Sequence, residues 1–220
     1  MPSLKSVSVA RGRPLPVLLL ADISGSMAAE GKIDALNQSV AAMLASFADE
    51  DAGRVEIHAG VITFGQGGSR LHLPMQPARS LRWDALAASG GTPMGAAFDL
   101  ATSVLSDREQ VPGKALRPAM VLVSDGQPTD AWEEPLSRLL ANERARKATR
   151  FAMAIGSDAD RTMLQRFLSD TGQRVFGAED ARGIRQFFQW VTMSVTLRSR
   201  AATPEADQGY APLPPEDYDV

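Results

Sequence analysis

Apolar positions along this chain follow two alternating patterns. Residues 17–21 (VLLLA), 119–123 (AMVLV) and 151–155 (FAMAI) are short continuous runs. Such runs read as strands covered on both faces, as in a parallel sheet. Between them, apolar residues recur at helical spacing. In residues 32–48 they fall at Ile33, Leu36, Val40, Met43, Leu44 and Phe47, and helices are likewise expected over 94–105, 131–148, 160–169 and 181–196. Residues 55–64 are β-rich, break at Gly65-Gln66-Gly67-Gly68, and resume as an extended run over 70–73. That break predicts a hairpin whose second strand lies at a sheet edge. Residues 74–88 look irregular, and 174–176 form a short strand. The alternation predicts a doubly wound α/β fold: a mostly parallel six-stranded sheet, one antiparallel edge strand, and helices on both faces. The expected organisation is an N-terminal extension (1–13), one domain (14–198) and an acidic, proline-rich tail (199–220).

Composition narrows the chemistry. The chain has 220 residues and no cysteine, which removes thiolate metal sites, disulfides and cysteine nucleophiles. Its two histidines, His58 and His72, fall in expected strands and read as packed or surface residues. A bound metal is therefore expected to be held by oxygen, which favours magnesium, with manganese or calcium as alternatives. Basic and acidic residues number 23 and 26, a net charge of −3, so no nucleic-acid partner is expected. The longest apolar run is too short to span a bilayer, and the N-terminus lacks a long apolar stretch. A cytoplasmic protein with no membrane partner is expected.

Three polar loops concentrate the candidate chemistry. In an open α/β sheet, ligands bind beyond the carboxyl ends of the strands. Two apolar strands run there into Asp22-Ile23-Ser24-Gly25-Ser26 and Ser124-Asp125-Gly126, and a third loop, Gly90-Gly91-Thr92-Pro93, opens a helix. If the two strands are neighbours, Asp22 and Asp125 meet the hydroxyls of Ser24, Ser26 and Thr92. Such a set suits a hard divalent cation and leaves room for an outside carboxylate. Gly91, Pro93, Gln127, Pro128, Thr129 and Asp130 are expected on the rim as partner contacts. Taken singly, each loop is an ordinary helix cap or turn; the case rests on their coincidence.

In this order, DISGS, GGTP and VSDGQPTD resemble the von Willebrand factor type A family and its metal-ion-dependent adhesion site. Asp22, Ser24 and Ser26 match the D-x-S-x-S element, Thr92 the separate threonine and Asp125 the separate aspartate. The resemblance implies direct binding of the metal by the hydroxyls, aspartates acting largely through water, and a partner's Asp or Glu completing the shell. It also implies a modest shift of the last helix on binding. The opening VLLLADISGSM is similar to bacterial tellurium-resistance proteins of the TerY type. That implies a scaffold in a stress-response system, with a protein phosphatase and a protein kinase as partners.

An enzyme is not expected. Asp22 as a phosphoryl-accepting nucleophile would call for a second acid two residues on, where Ser24 stands. No serine sits in G-x-S-x-G, and the 65–68 loop lacks the ending of a phosphate loop. Trp83 and Trp132 flank the second and third loops and are candidates for a partner surface, with core packing the alternative for Trp83. The basic stretch over 144–150 reads as a solvated face. The last sixteen residues carry Glu205, Asp207, Glu216, Asp217 and Asp219 without a Lys or Arg. Glu216, Asp217 or Asp219 could enter a metal site in this molecule or a neighbour.

Overall fold

The computed structural model describes residues 12–50, 54–169 and 171–201. Residues 202–220 of the acidic tail lie outside them, so its part in a metal site stays an expectation. The first apolar run is the centre of a ten-residue strand, β1 (Arg13–Asp22), in which every residue after Arg13 is buried. It pairs in parallel with β2 (Val55–Gly65) on one side and β4 (Ala119–Ser124) on the other. β2 returns antiparallel as β3 (Gly68–Pro77), with positive φ at Gly67 and Gly68 closing the hairpin. Beyond β4 lie β5 (Thr149–Ile155) and β6 (Phe176–Ala178), both parallel. The sheet order is therefore β3-β2-β1-β4-β5-β6, with β3 the single antiparallel member, at an edge as expected.

Two prolines enter this central strand without breaking it. Pro14 accepts a hydrogen bond from Leu116 N through its carbonyl, so its missing N–H faces the same side. The β4 ladder begins only at Val17, and β1 pairs with β2 across the whole of its length. Pro14 and Pro16 thus remove donors where no strand partner needs them.

Alternate β1 residues feed two cores. Leu15, Val17, Leu19 and Ala21 pack under α1 (Lys32–Asp49) and α6 (Ala181–Arg200), with Phe47, Phe187 and Trp190. Leu18 and Leu20 face α2 (Met94–Ser106), α3 (Glu133–Ala141) and α5 (Arg161–Leu168), with Phe98, Leu136 and Phe167. Every member of the two clusters is nearly free of solvent contact, so the helices are held mainly by apolar burial. No helix among the described residues is long and apolar enough to cross a membrane.

Several local expectations are corrected. The single helix over 131–148 is two: Asn142 turns extended (φ −61°, ψ 132°) and its side chain caps α4 (Glu143–Arg146) by accepting from Arg144 N and Ala145 N. A short polar side chain that satisfies the next turn's donors ends one helix and starts another. The last strand sits two residues later than 174–176, and β3 runs well past 70–73. The 144–150 stretch is not wholly solvated: Arg150 is buried and donates to the carbonyls of Ala145 and Ser169. Trp83 packs half-buried on the α1 side, its ring edge-on to His72, while the Arg166 guanidinium covers Trp132 at 4.6 Å.

Two predictions follow from this packing. A Cβ placed on Gly95 in the first turn of α2 would lie 2.2 Å from the Ala131 carbonyl oxygen. Helix propensity alone would reward Gly95→Ala by about 1 kcal/mol. The clash reverses the sign, and chemical denaturation is expected to show a loss of about 1–3 kcal/mol. At the far end of the domain, Arg200 donates to both Glu50 oxygens at 2.7 Å and holds the Glu50 carboxyl below its ordinary 4.5. A carboxyl depressed in the folded state stabilises above its unfolded value and loses that contribution as pH falls through the folded one. Thermal melts below pH 4.5 are expected to fall less steeply for Glu50→Gln than for the parent chain.

Candidate metal centre

The carboxyl ends of β1 and β4 lie side by side because the strands run parallel in register, with Ala21 opposite Val123. Each strand then ends in an aspartate or its neighbour: Asp22 closes β1, and Ser124 closes β4 one residue before Asp125. Both aspartates are buried, at 0% and 1% exposure. Carboxylates this dry need compensation. Asp22 Oδ1 accepts from Ser24 N at 2.7 Å, and Asp22 Oδ2 accepts from Ser124 Oγ at 2.6 Å. Burial nevertheless pushes the Asp22 carboxyl up to about 6, against those hydrogen bonds and with a smaller push from the Asp125 charge.

After β1 the chain enters a tight 3-10 segment (Gly25–Gly31), which turns Ser24 and Ser26 toward β4. Their hydroxyls lie 3.0 Å apart. Ser26 Oγ donates to Asp125 Oδ1 at 2.7 Å, while Ser24 Oγ stands 3.5 Å from the same oxygen. Thr92 arrives from the third loop and is buried. A Cβ placed on Gly126 would lie 3.4 Å from Thr92 Oγ1 and 3.9 Å from Ser26 Oγ, so the threonine hydroxyl faces the Asp125 loop. All five expected residues therefore gather at one end of the sheet.

Backbone hydrogen bonds stitch the loops together. Gly25 N donates to Gly90 O, Ser89 N to Ile23 O, and Thr129 N to Thr92 O, all within 2.9 Å. Gly90 adopts φ +85° where a Cβ would meet Gln66 N at 2.4 Å, so this crossing admits only glycine.

Of the expected rim residues, Gly91, Gln127 and Thr129 are exposed, and Pro93 and Asp130 are half-buried. Thr129 and Asp130 also accept hydrogen bonds from within the chain. Thr129 Oγ1 accepts from Thr92 N at 3.0 Å, and Asp130 accepts from Gly95 N and Ala96 N at 2.8 and 3.0 Å. Pro93 offers α2 no side-chain cap, so Asp130 caps that helix from another loop. Gln127 donates to the Asp158 carbonyl at 2.9 Å.

Two residues escaped the sequence reading. In the sequence Ser124 is one polar residue of a loop; its place opposite Asp22 follows from strand register. Lys32, the first residue of α1, places Nζ 3.1 Å from Asp125 Oδ2 with its side chain 14% exposed. Its signal in the sequence is a cation in the first turn of a helix, where the dipole disfavours one.

The donor set is chemically that of a hard cation: two carboxylates and three hydroxyls, all oxygen. Among the described residues, no group of three or more His, Cys, Asp or Glu forms an alternative centre. The burial of Asp22 supports the same fit, since a nearby cation favours the charged form that burial opposes.

Comparison with known proteins agrees with this architecture. The inter-alpha-trypsin inhibitor heavy chain H6 of Homo sapiens is 26% identical over 177 residues, 75% of this chain and 13% of the human protein. The magnesium-chelatase 60 kDa subunit of Rhodobacter capsulatus is 30% identical over 107 residues, 46% of this chain and 18% of that subunit. The chain thus spans less than a fifth of either relative. Among solved structures, a von Willebrand factor type A protein from Catenulispora acidiphila superposes with a TM-score of 0.65 at 19% identity, covering 84% of this chain and 43% of that one. The proximal thread matrix protein 1 of the mussel byssus, solved with zinc in its MIDAS motif, gives 0.61 at 12% identity, covering 84% and 48%. The model of the von Willebrand factor type A domain matches residues 17–190, most of the described sheet and its helices, and the chain belongs to that family.

Proposed function

We propose that this chain is a metal-dependent protein-interaction module. Asp22, Ser24, Ser26, Thr92 and Asp125 hold a divalent cation, magnesium by preference, and an Asp or Glu of a partner protein completes the site. One observation carries the reading: five oxygen-bearing side chains from three separate loops converge at one sheet end, with Ser26 Oγ 2.7 Å from Asp125 Oδ1. When bound, the cation supplies an electrophilic centre for the incoming carboxylate. The protein supplies the rest. Ser124 and the Ser24 N–H fix the Asp22 carboxyl, Asp130 fixes the helix that follows Thr92, and Gly91 and Gln127 lie on the exposed rim. The zinc-filled motif of the mussel protein supports an ion at this position in the fold.

A non-enzymatic role is part of the proposal. Asp22 has no exposed surface and both its oxygens are engaged, which suits a fixed anchor better than a nucleophile. The proposed setting is the bacterial cytoplasm, as a scaffold in a tellurium-resistance or stress-response system with phosphatase and kinase partners. Its support is the likeness of the VLLLADISGSM opening to that group.

Calorimetric titration with Mg²⁺ or Mn²⁺ tests the metal arm. Asp125→Ala and Thr92→Ala are expected to weaken binding by about 100-fold or more, beyond what residues outside the ligand set typically cost. Unchanged affinity in the folded variants would remove these residues from the site. The interaction arm is read by affinity capture from a bacterial lysate with and without chelator. A partner lost on chelation, and lost with Asp22→Ala in a protein that still melts cooperatively, supports the module. A partner retained while chelation lowers the melting temperature reduces the ion to a structural staple.

A further inference from the structure

We infer that Lys32 is the charge-balancing residue of this site: it weakens cation binding and, in doing so, strengthens capture of a carboxylate. The inference rests on the metal-dependent reading above and specifies how that site is tuned. Lys32 Nζ donates to Asp125 Oδ2 at 3.1 Å, on the oxygen opposite the one that Ser26 engages. The aspartate is dry and the lysine side chain only 14% exposed, so solvent screens the pair weakly. A Cβ placed on Gly156 would lie 3.8 Å from Nζ, which puts the ammonium beside the carboxyl end of β5 as well.

The location is otherwise unfavourable. Lys32 opens α1, where the helix dipole already presents partial positive charge. Its N-cap, Gly31, gives the helix no side-chain acceptor. A cation is kept there by Asp125.

Formal charge explains what it accomplishes. Asp22 and Asp125 bring two negative charges, and Lys32 returns one. A divalent ion then leaves the site with one positive charge, which a partner's carboxylate cancels. Without Lys32 the ion alone would neutralise the site, and an added carboxylate would leave it negative. The lysine thus trades affinity for the ion against affinity for the anion.

The test uses the full chain and Mn²⁺. Lys32→Met and Lys32→Gln remove the charge, and Lys32→Arg keeps it; melting curves confirm folding. In calorimetry, the two neutral variants are expected to bind Mn²⁺ about 10- to 100-fold more tightly, the range over which groups outside the ligand set move metal affinity. Lys32→Arg is expected to stay close to the parent. Acetate is then titrated into the Mn²⁺-loaded proteins while water-proton relaxation reports displacement of metal-bound water. The neutral variants are expected to need about ten-fold more acetate. Equal or weaker Mn²⁺ binding by a folded neutral variant overturns the inference and leaves Lys32 as a prop for Asp125. Equal acetate sensitivity overturns it too. Failure of acetate to act on the parent protein counts instead against carboxylate capture, and the calorimetry still decides the effect of Lys32 on the ion.

Discussion

Everything distinctive about this molecule depends on keeping two carboxylates dry and close together. Asp22 accepts from Ser124 Oγ and Asp125 from Ser26 Oγ at the end of the sheet, with almost no solvent to absorb their charge. Isolated buried carboxylates are costly, and a pair repels. The fold answers with short hydrogen bonds from Ser24 N, Ser124 and Ser26, and with the Lys32 ammonium. Burial outweighs the bonds to Asp22 and raises its carboxyl to about 6, with a smaller push from the Asp125 charge.

The sheet makes that arrangement possible. β1 and β4 are neighbours although a hairpin and two helices separate them in the chain. Chain order reverses across this pair: β2 and β3 extend to one side, β5 and β6 to the other. The loops leaving β1 and β4 therefore turn toward opposite faces and open a crevice between them. The third loop fills its side, drawn in by the Asp130 bonds to α2 and by the close approach at Gly95.

How much of this could be read from the chain depends on which residues are asked about. Asp22 and Asp125 were legible because each ends an apolar run and begins a polar loop, a change of pattern that needs no coordinates. The antiparallel edge was legible for a similar reason, since the 65–68 glycines mark the hairpin, whereas the order of the strands is set by long-range pairing that no local pattern shows. Ser124, Lys32 and the capping role of Asp130 were not legible. Their roles arise from register and from contacts across the chain, and serine, lysine and aspartate are common enough that local sequence cannot single them out. The break at Asn142 was hidden because apolar spacing continues through it, although an asparagine inside a helical pattern is itself a capping signal. Arg150 sat within a basic run in which Arg146 and Lys147 are exposed and Arg144 is half-buried, and only its burial separates it from them.

The backbone stitching among the three loops has a consequence for how such a site can be moved. Through their main chains Gln66 bonds to Ser89, Ser89 to Ile23, Gly25 to Gly90 and Thr129 to Thr92, so the loops behave as a single plate rather than three independent arms. Transplanting the five oxygen-bearing side chains onto another α/β scaffold would carry the chemistry without the plate. A workable graft must also bring the β2–β3 turn and the left-handed glycine beneath it, neither of which belongs to the proposed ligand set.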